Sequence, residues 1–534
     1  MTMYRNFFFA LVPVLLFFLF ITAPMLLMSR DMWDGTIIEY ASKINNYSGL
    51  KSYFVESTWF LQYPLSVFLI EVAQATGLSY KDTNALFVFS IALFLFRETF
   101  YLCKYQFKFS DPASYYAVTL IATFSTWAVL FSSIMTLHFG CIVLGLFSIR
   151  MIHKASTVSK LCGYLALIVS LSLQSQLIFL PVLSYLYDST NQNSPKYLDT
   201  PMPSKKTIFV FSVSLAVFVF VKLFFPAHGL YENYNSFIGV SPEKLMYLVL
   251  HSIMFGTYLV PTLAIIGLFF SIMLSIKRPV NVQTNIISKI EHLKPSLLLI
   301  LFIAGALPYV AVGKFSHFLD IFDWTNRHGM LLALPASLFA ALCFEIMYKI
   351  SEYKLMKTLV VIGSTVLLTF QISLMTVSLV HKLNRQIFVS ELESAIRLSQ
   401  EELLPGALEI IGKRFPPFGV GIPGPHLRSY ELNFLMYRAT GKSDWYTRIG
   451  REQDAYFTIP CYIRLNRAYQ LKYIYNYDSS HDLNHTIVDV EVSGYDGLSN
   501  IVRNILGIND SASVELVNVH TKLGLDNRSN EVCN

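Results

Sequence analysis

Apolar runs of about 20 residues recur along the first 380 positions of this chain, and each is long enough to cross the hydrocarbon core of a bilayer. A segment in lipid must satisfy its own backbone hydrogen bonds, and these runs are continuously apolar rather than alternating, so they are expected to be helices. Composition agrees: 54% of the 534 residues are hydrophobic and 14% charged, against about 25% charged in an ordinary soluble protein. The net charge of +6 comes from Lys and Arg collected between the runs, a pattern that suits anionic headgroups and gives no nucleic-acid signal. The first run, Phe7 to Met28, lacks a small-residue cleavage site and reads as a retained anchor rather than a signal peptide.

Basic residues concentrate in short cytoplasmic loops, so Arg5 puts the N-terminus inside. A long outer loop, 29–83, precedes the second span, Asn84 to Cys103; within it, Trp59 to Ala75 is short, holds Pro64 and Glu71, and reads as an interfacial or dipping helix. Ala113 to Ile149 reads as a tight two-span hairpin, and Lys160 to Asp188 as two short spans turning near Gln174 and Gln176. Further spans are expected at Thr207 to Phe225, Leu245 to Ile276, Ser296 to Val312, a stretch ending at Lys349, and Thr358 to Val380. The fold expected is an all-α polytopic bundle of about 11 transmembrane helices over residues 1–380, including the first outer loop. Beyond His381 charges, prolines and period-2 stretches at Thr486 to Val492 and Ala512 to His520 appear, with helical patterns at Arg385 to Leu404 and Tyr430 to Thr440. Residues 381–534 therefore read as a small α+β extracytoplasmic C-terminal domain. Of six cysteines, only Cys461 and Cys533 fall in this tail, where an oxidising compartment would allow them to pair.

The exit of the first span carries three carboxylates, Asp31, Asp34 and Glu39, within nine residues. Asp31 and Asp34 are spaced to share a helix face, whereas all three are not. A partly desolvated carboxylate there suits a general base, with Asp34 ranked above Asp31; the plainer role is to solvate the end of the span. An outer loop further on offers Lys314, His317, Arg327 and His328, cations able to hold a phosphate leaving group, Arg327 foremost for its bidentate fork. The alternative there is that Arg327 snorkels and pairs with Asp323 or Asp320. Lys222, late in its span, and His251 are weaker candidates for the same binding role, each with a structural alternative. Arg97 and Glu98 read as a polar pair, Gln174 and Gln176 as helix-to-helix glue, and Pro416 to Pro425 as a structural loop. Four Asn-x-Ser/Thr sites, at Asn46, Asn484, Asn509 and Asn527, face outward in this topology.

The layout of cytoplasmic N-terminus, acidic residues after the first span, a long first outer loop with an amphipathic segment, and an outer C-terminal domain resembles the C superfamily of glycosyltransferases (GT-C). That superfamily includes lipid A aminoarabinose transferases, protein mannosyltransferases and the bacterial or phage glucosyltransferases that decorate O-antigen from undecaprenyl phosphate. Gln62-Tyr63-Pro64-Leu65, followed by an apolar helix and Gly77, is similar to the Pro-Pro-Leu segment of aminoarabinose-transferase-like members, with tyrosine replacing the first proline. The resemblance covers the membrane half. It implies a polyprenyl-phosphate sugar as donor and a surface glycan or lipid-linked acceptor, in a bacterial inner membrane with a periplasmic tail. Asp34 or Asp31 would match the family's acidic position, and Arg327 would meet the carrier phosphate. The acidic motif departs from the family's Asp-Glu and Asp-x-Asp forms; no cofactor is called for, and a divalent metal is compatible with these carboxylates without being indicated. A polysaccharide polymerase or ligase would concentrate basic residues in a large loop between spans, and a flippase or transporter would show two related halves with interrupted helices. Neither pattern is evident, and a non-catalytic scaffold remains the third alternative.

Overall fold

The computed structural model describes residues 2–28, 31–32, 35–191, 203–227, 294–312, 324–350, 354–398, 407–414, 429–440, 463–465, 471–473, 484–493 and 513–523. Six helices among them are long and apolar enough to cross a membrane: Phe9–Leu27, Tyr80–Gln106, Ser133–His153, Lys205–Phe224, Arg327–Lys349 and Lys357–Val380. A seventh arises if Asp111–Ala122 and Ser125–Phe131, bent by 44°, form one span. The chain is thus a helical multi-pass membrane protein. The expected pair of short spans corresponds to helices Thr157–Ser170 and Gln176–Asn191, and Lys294–Ala311 covers most of the ninth. The expected span at Leu245 to Ile276 lies outside the described residues, as do Cys461, Cys533 and the Pro416 to Pro425 loop.

The chain divides into two compact units. One comprises Met1–Ala23, Ala85–Leu130 and Met135–Ser378; the other comprises Pro24–Asn84, Phe131–Ile134 and Leu379–Asn534. The segment between the first two spans therefore groups with the C-terminal residues.

In the first unit, Phe17 lies in the core between Phe96, edge-on at 5.6 Å, and Phe139, stacked at 6.2 Å, with Trp127 tilted against Phe139 at 5.0 Å. The first span widens into a π-turn over Phe18–Thr22, where the Ala23 N–H donates to Phe18 O. Pro24 has no N–H and its ring crowds the preceding turn; the wider turn absorbs both defects. The residues of the expected hairpin form the bent pair Asp111–Ala122 and Ser125–Phe131 and then the helix Thr136–His153, with buried 3-10 turns at Ser125–Phe131 and Ser133–Met135. Glu98 does not pair with its neighbour Arg97, which is exposed. It takes a bidentate contact from Arg150, at 2.5 Å from Nε and 2.8 Å from Nη2. Gln176 fills the glue role by donating to Ser170 O at 3.3 Å.

In the second unit, helices Gly35–Lys43, Tyr47–Glu56 and Gln62–Thr76 build the segment between the first two spans. Asn46 caps the second of these by accepting from Gly49 N–H at 2.9 Å, as a short polar side chain does at a helix start. Pro64 sits in the first turn of the third, where the missing N–H is tolerated. Gly77 ends that helix at φ +72°, the left-handed position that glycine occupies without strain. Span eleven and the expected helix at Arg385 to Leu404 are one continuous helix, Lys354–Leu398. Strands β1 (Ala407–Arg414), β2 (Ile463–Leu465), β3 (Leu471–Tyr473), β4 (Asn484–Ser493) and β5 (Ser513–Leu523) form a sheet in the order β2-β3-β1-β4-β5. Only β1 and β4 run parallel.

Candidate functional site

The second unit places a buried cluster of opposite charges at the exit of the first span. Asp34 lies outside the described residues, and Asp31 precedes the helix that starts at Gly35. Its carboxylate is held by three distant or local donors. Oδ1 accepts the Met32 N–H at 2.7 Å and the Ser133 N–H at 3.0 Å, and lies 3.5 Å from Lys81 Nζ. Lys81 also donates to the Phe131 carbonyl. Both charged groups are almost fully buried, with side-chain exposures of 3% for Lys81 and 0% for Asp31; in such a place an ion pair needs further hydrogen bonds to offset desolvation, and these are present.

Ser132 completes the clasp. Its hydroxyl donates to Met32 O at 2.6 Å and accepts the Gly35 N–H at 3.2 Å. The approach is close: a β-carbon on Gly35 would run into the Asp31 carboxylate and come within 2.7 Å of Ser132 Oγ. Glycine is the residue that permits this packing.

Glu39, one turn into the Gly35 helix, turns back to accept the Asp31 N–H on Oε2 at 2.9 Å. Its other oxygen accepts from Arg438 Nη1 at 3.4 Å, and Arg438 Nε lies 3.3 Å from Glu393. Arg438 belongs to helix Ser429–Thr440, which packs on the Gly35 helix through Phe434 and Tyr437, each edge-on to Tyr40 at 5.5 and 5.2 Å. Burial pushes the Glu39 carboxyl above its ordinary range; the Asp31 charge adds to the rise, while the Asp31 N–H, Arg438 and Lys81 oppose it. Asp31 and Glu39 are thereby unlike carboxylates: one is pinned by a lysine and backbone amides, the other is held with elevated proton affinity. That division suits a positioned anchor beside a proton acceptor.

Lys314, His317 and His251 lie outside the described residues, as do Asp320 and Asp323. Arg327 and His328 belong to the first unit, where a 3-10 stretch, Trp324–Leu332, carries them. His328 is buried and its ring lies 5.0 Å from Tyr309, whose hydroxyl donates to Ser175 at 3.1 Å. Lys222 is exposed and stands over Phe218 at 5.9 Å, as a snorkelling side chain does. Among the described residues no group of three or more His, Cys, Asp or Glu side chains is arranged to hold a metal ion. Sequence reasoning missed Lys81, Ser132, Ser133 and Arg438. Lys81 carried a signal, a lone cation at the head of the second span in Ser79-Tyr80-Lys81-Asp82, whereas Arg438 in Met436-Tyr437-Arg438 carried none.

No known family model, no curated protein and no solved structure matches this chain.

Proposed function

We propose that the chain is an integral-membrane glycosyltransferase of GT-C-like architecture, with about eleven spans and an extracytoplasmic α+β tail. It moves a sugar from a polyprenyl-phosphate carrier to a surface glycan or lipid-linked acceptor at the outer face of the membrane. The observation that carries this reading is the buried pairing of unlike carboxylates, Asp31 and Glu39, at the exit of the first span. A hydroxyl acceptor must lose its proton as it attacks the anomeric carbon, and a carboxylate with raised proton affinity is suited to take it.

In the proposed step the acceptor oxygen forms a bond to C1 of the sugar and its proton passes to Glu39 or Asp34. The C1–O bond to the carrier breaks, and its electron pair leaves on polyprenyl phosphate. Asp31, neutralised by Lys81, acts as a positioning residue that fixes the loop and hence Glu39. Arg327 and His328, with Lys314 and His317, are proposed to hold the carrier phosphate; Lys222 and His251 are weaker candidates for the same task.

The reading is tested with the full chain in nanodiscs, following radiolabelled sugar from a panel of synthetic polyprenyl-phosphate sugars. Transfer by the wild type that falls at least 100-fold in Glu39→Gln or Asp34→Asn, with folding intact, is the expected result. Movement of the intact lipid across the bilayer without any transfer would overturn it in favour of a flippase.

A further inference from the structure

Arg438 faces two carboxylates on different elements of the second unit at nearly equal distance. Its Nη1 lies 3.4 Å from Glu39 Oε1 on the Gly35 helix, and its Nε lies 3.3 Å from Glu393 Oε2 on helix Lys354–Leu398. Both contacts are longer than the roughly 2.7–2.9 Å of a fully formed charged hydrogen bond. The guanidinium is a rigid planar fork, so closing on one carboxylate draws it from the other.

The remainder of its helix, Ser429–Thr440, is fixed. In the first turn Glu431 accepts from Arg385 at 2.6 Å, with both side chains 4% exposed, and Phe434 and Tyr437 pack edge-on against Tyr40. Arg438, in the last turn, is 28% exposed and so sits at the wetter end. Glu393 is tied to its own helix, because its other oxygen accepts from Arg397 one turn along at 2.8 Å.

The charged and titratable groups facing Glu39 are Asp31, Lys81, Tyr80 and Arg438. Lys81 is buried and bound to Asp31 and to the Phe131 carbonyl, which commits it elsewhere. Arg438 is the cation whose hold on Glu39 is divided with another acid. A cation beside a carboxylate favours the charged form, which is the form that accepts a proton.

We infer that Arg438 is a positioning residue shared between Glu39 and Glu393, so that Glu393 sets how firmly the proposed base is held; this rests on Glu39 acting as the base in the reading above. Removing the charge of Glu393 leaves the guanidinium to Glu39 and strengthens that hold, whereas removing the charge of Arg438 abolishes it. The two substitutions therefore act on Glu39 in opposite directions, which a loss of packing does not do.

The test follows unfolding of the full chain in mixed micelles against pH, each background being compared with the same background carrying Glu39→Gln. The difference is the stability contributed by Glu39, present at acid pH and lost as pH rises through its folded-state titration. In Arg438→Gln this loss is expected at higher pH than in the wild type, and in Glu393→Gln at lower pH. In the double variant it should fall where Arg438→Gln alone places it, because Glu393 acts through the guanidinium. Sugar transfer supplies a second readout: at the pH of half-maximal transfer on the acid side, the rate should fall several-fold in Arg438→Gln and rise by up to about twofold in Glu393→Gln. A titration that stays put in both single variants, or moves the same way in both, overturns the sharing, as does a Glu393→Gln displacement that persists without Arg438. A loss of stability equal at every pH marks Arg438 as structural and overturns it too. If Arg438→Gln does not fold, Glu393→Gln, which removes no cation, decides by its direction alone. Sugar transfer with an unmoved titration leaves the glycosyltransferase reading standing and removes the role of Arg438. A titration that moves as expected in a chain that transfers no sugar removes the glycosyltransferase reading and leaves the sharing standing.

Discussion

Lys81 is the residue on which the charged cluster turns, because it neutralises Asp31 where water cannot. Lys81→Met strands a buried carboxylate and is expected to cost about 3–5 kcal/mol in reversible unfolding in mixed micelles. Adding Asp31→Asn should restore part of that loss, and a double mutant no better than Lys81→Met alone would show that the pair is not coupled. Glu39 gives a pH signature. Its folded-state proton affinity is raised, so the native state binds more protons than the unfolded one between the ordinary glutamate range and the raised value. Stability contributed by this group is therefore present at acid pH and lost as pH rises through that window. Glu39→Gln should flatten this limb of the stability profile. The acidic residues themselves were legible in the sequence as a cluster after the first span. Their partners were not: Lys81 acts across 50 positions and Arg438 across 399, and no local pattern encodes such a pairing.

Elements were legible where a single periodicity decides them and obscure where a break does. Arg97 and Glu98 are adjacent, and a turn of about 100° per residue aims neighbours at different faces of a helix. The sequence offered both as one pair; the fold exposes the first and buries the second against Arg150. Glu98→Ala, which leaves the Arg150 guanidinium uncompensated, should cost about 3–5 kcal/mol in the same unfolding measurement, whereas Arg97→Ala should stay within about 0.5 kcal/mol. Equal effects would show that the face assignment is mistaken. The bend after Ala122 and the 3-10 turns that follow left little trace in hydropathy, since Thr123, Ser125, Thr126, Ser132 and Ser133 interrupt the apolar run without any charge, proline or glycine. The π-turn had a visible cause in Pro24, although a proline alone does not say whether a helix will kink, widen or stop.

For the molecule as a whole, the apolar runs announced a multi-pass protein, whereas the grouping of the segment between the first two spans with the C-terminal residues involves long-range aromatic and polar contacts that hydropathy does not report. The proposed topology predicts opposite labelling of two exposed positions in a cysteine-free background. Ser394→Cys should react with an impermeant maleimide in intact cells, and Ala155→Cys only after permeabilisation. Labelling of both under one condition would refute the eleven-span count. Translation adds a constraint of its own. The Ser132 hydroxyl grips Met32 O and Gly35 N–H from 100 and 97 positions away, so this part of the loop lacks its Ser132 partner when it first leaves the ribosome. It must wait about 5–20 s for the next hundred residues at ordinary elongation rates. The Asp31 clasp is therefore a late event in biogenesis, closed only once the chain through Ser132 and Ser133 has been delivered to the membrane.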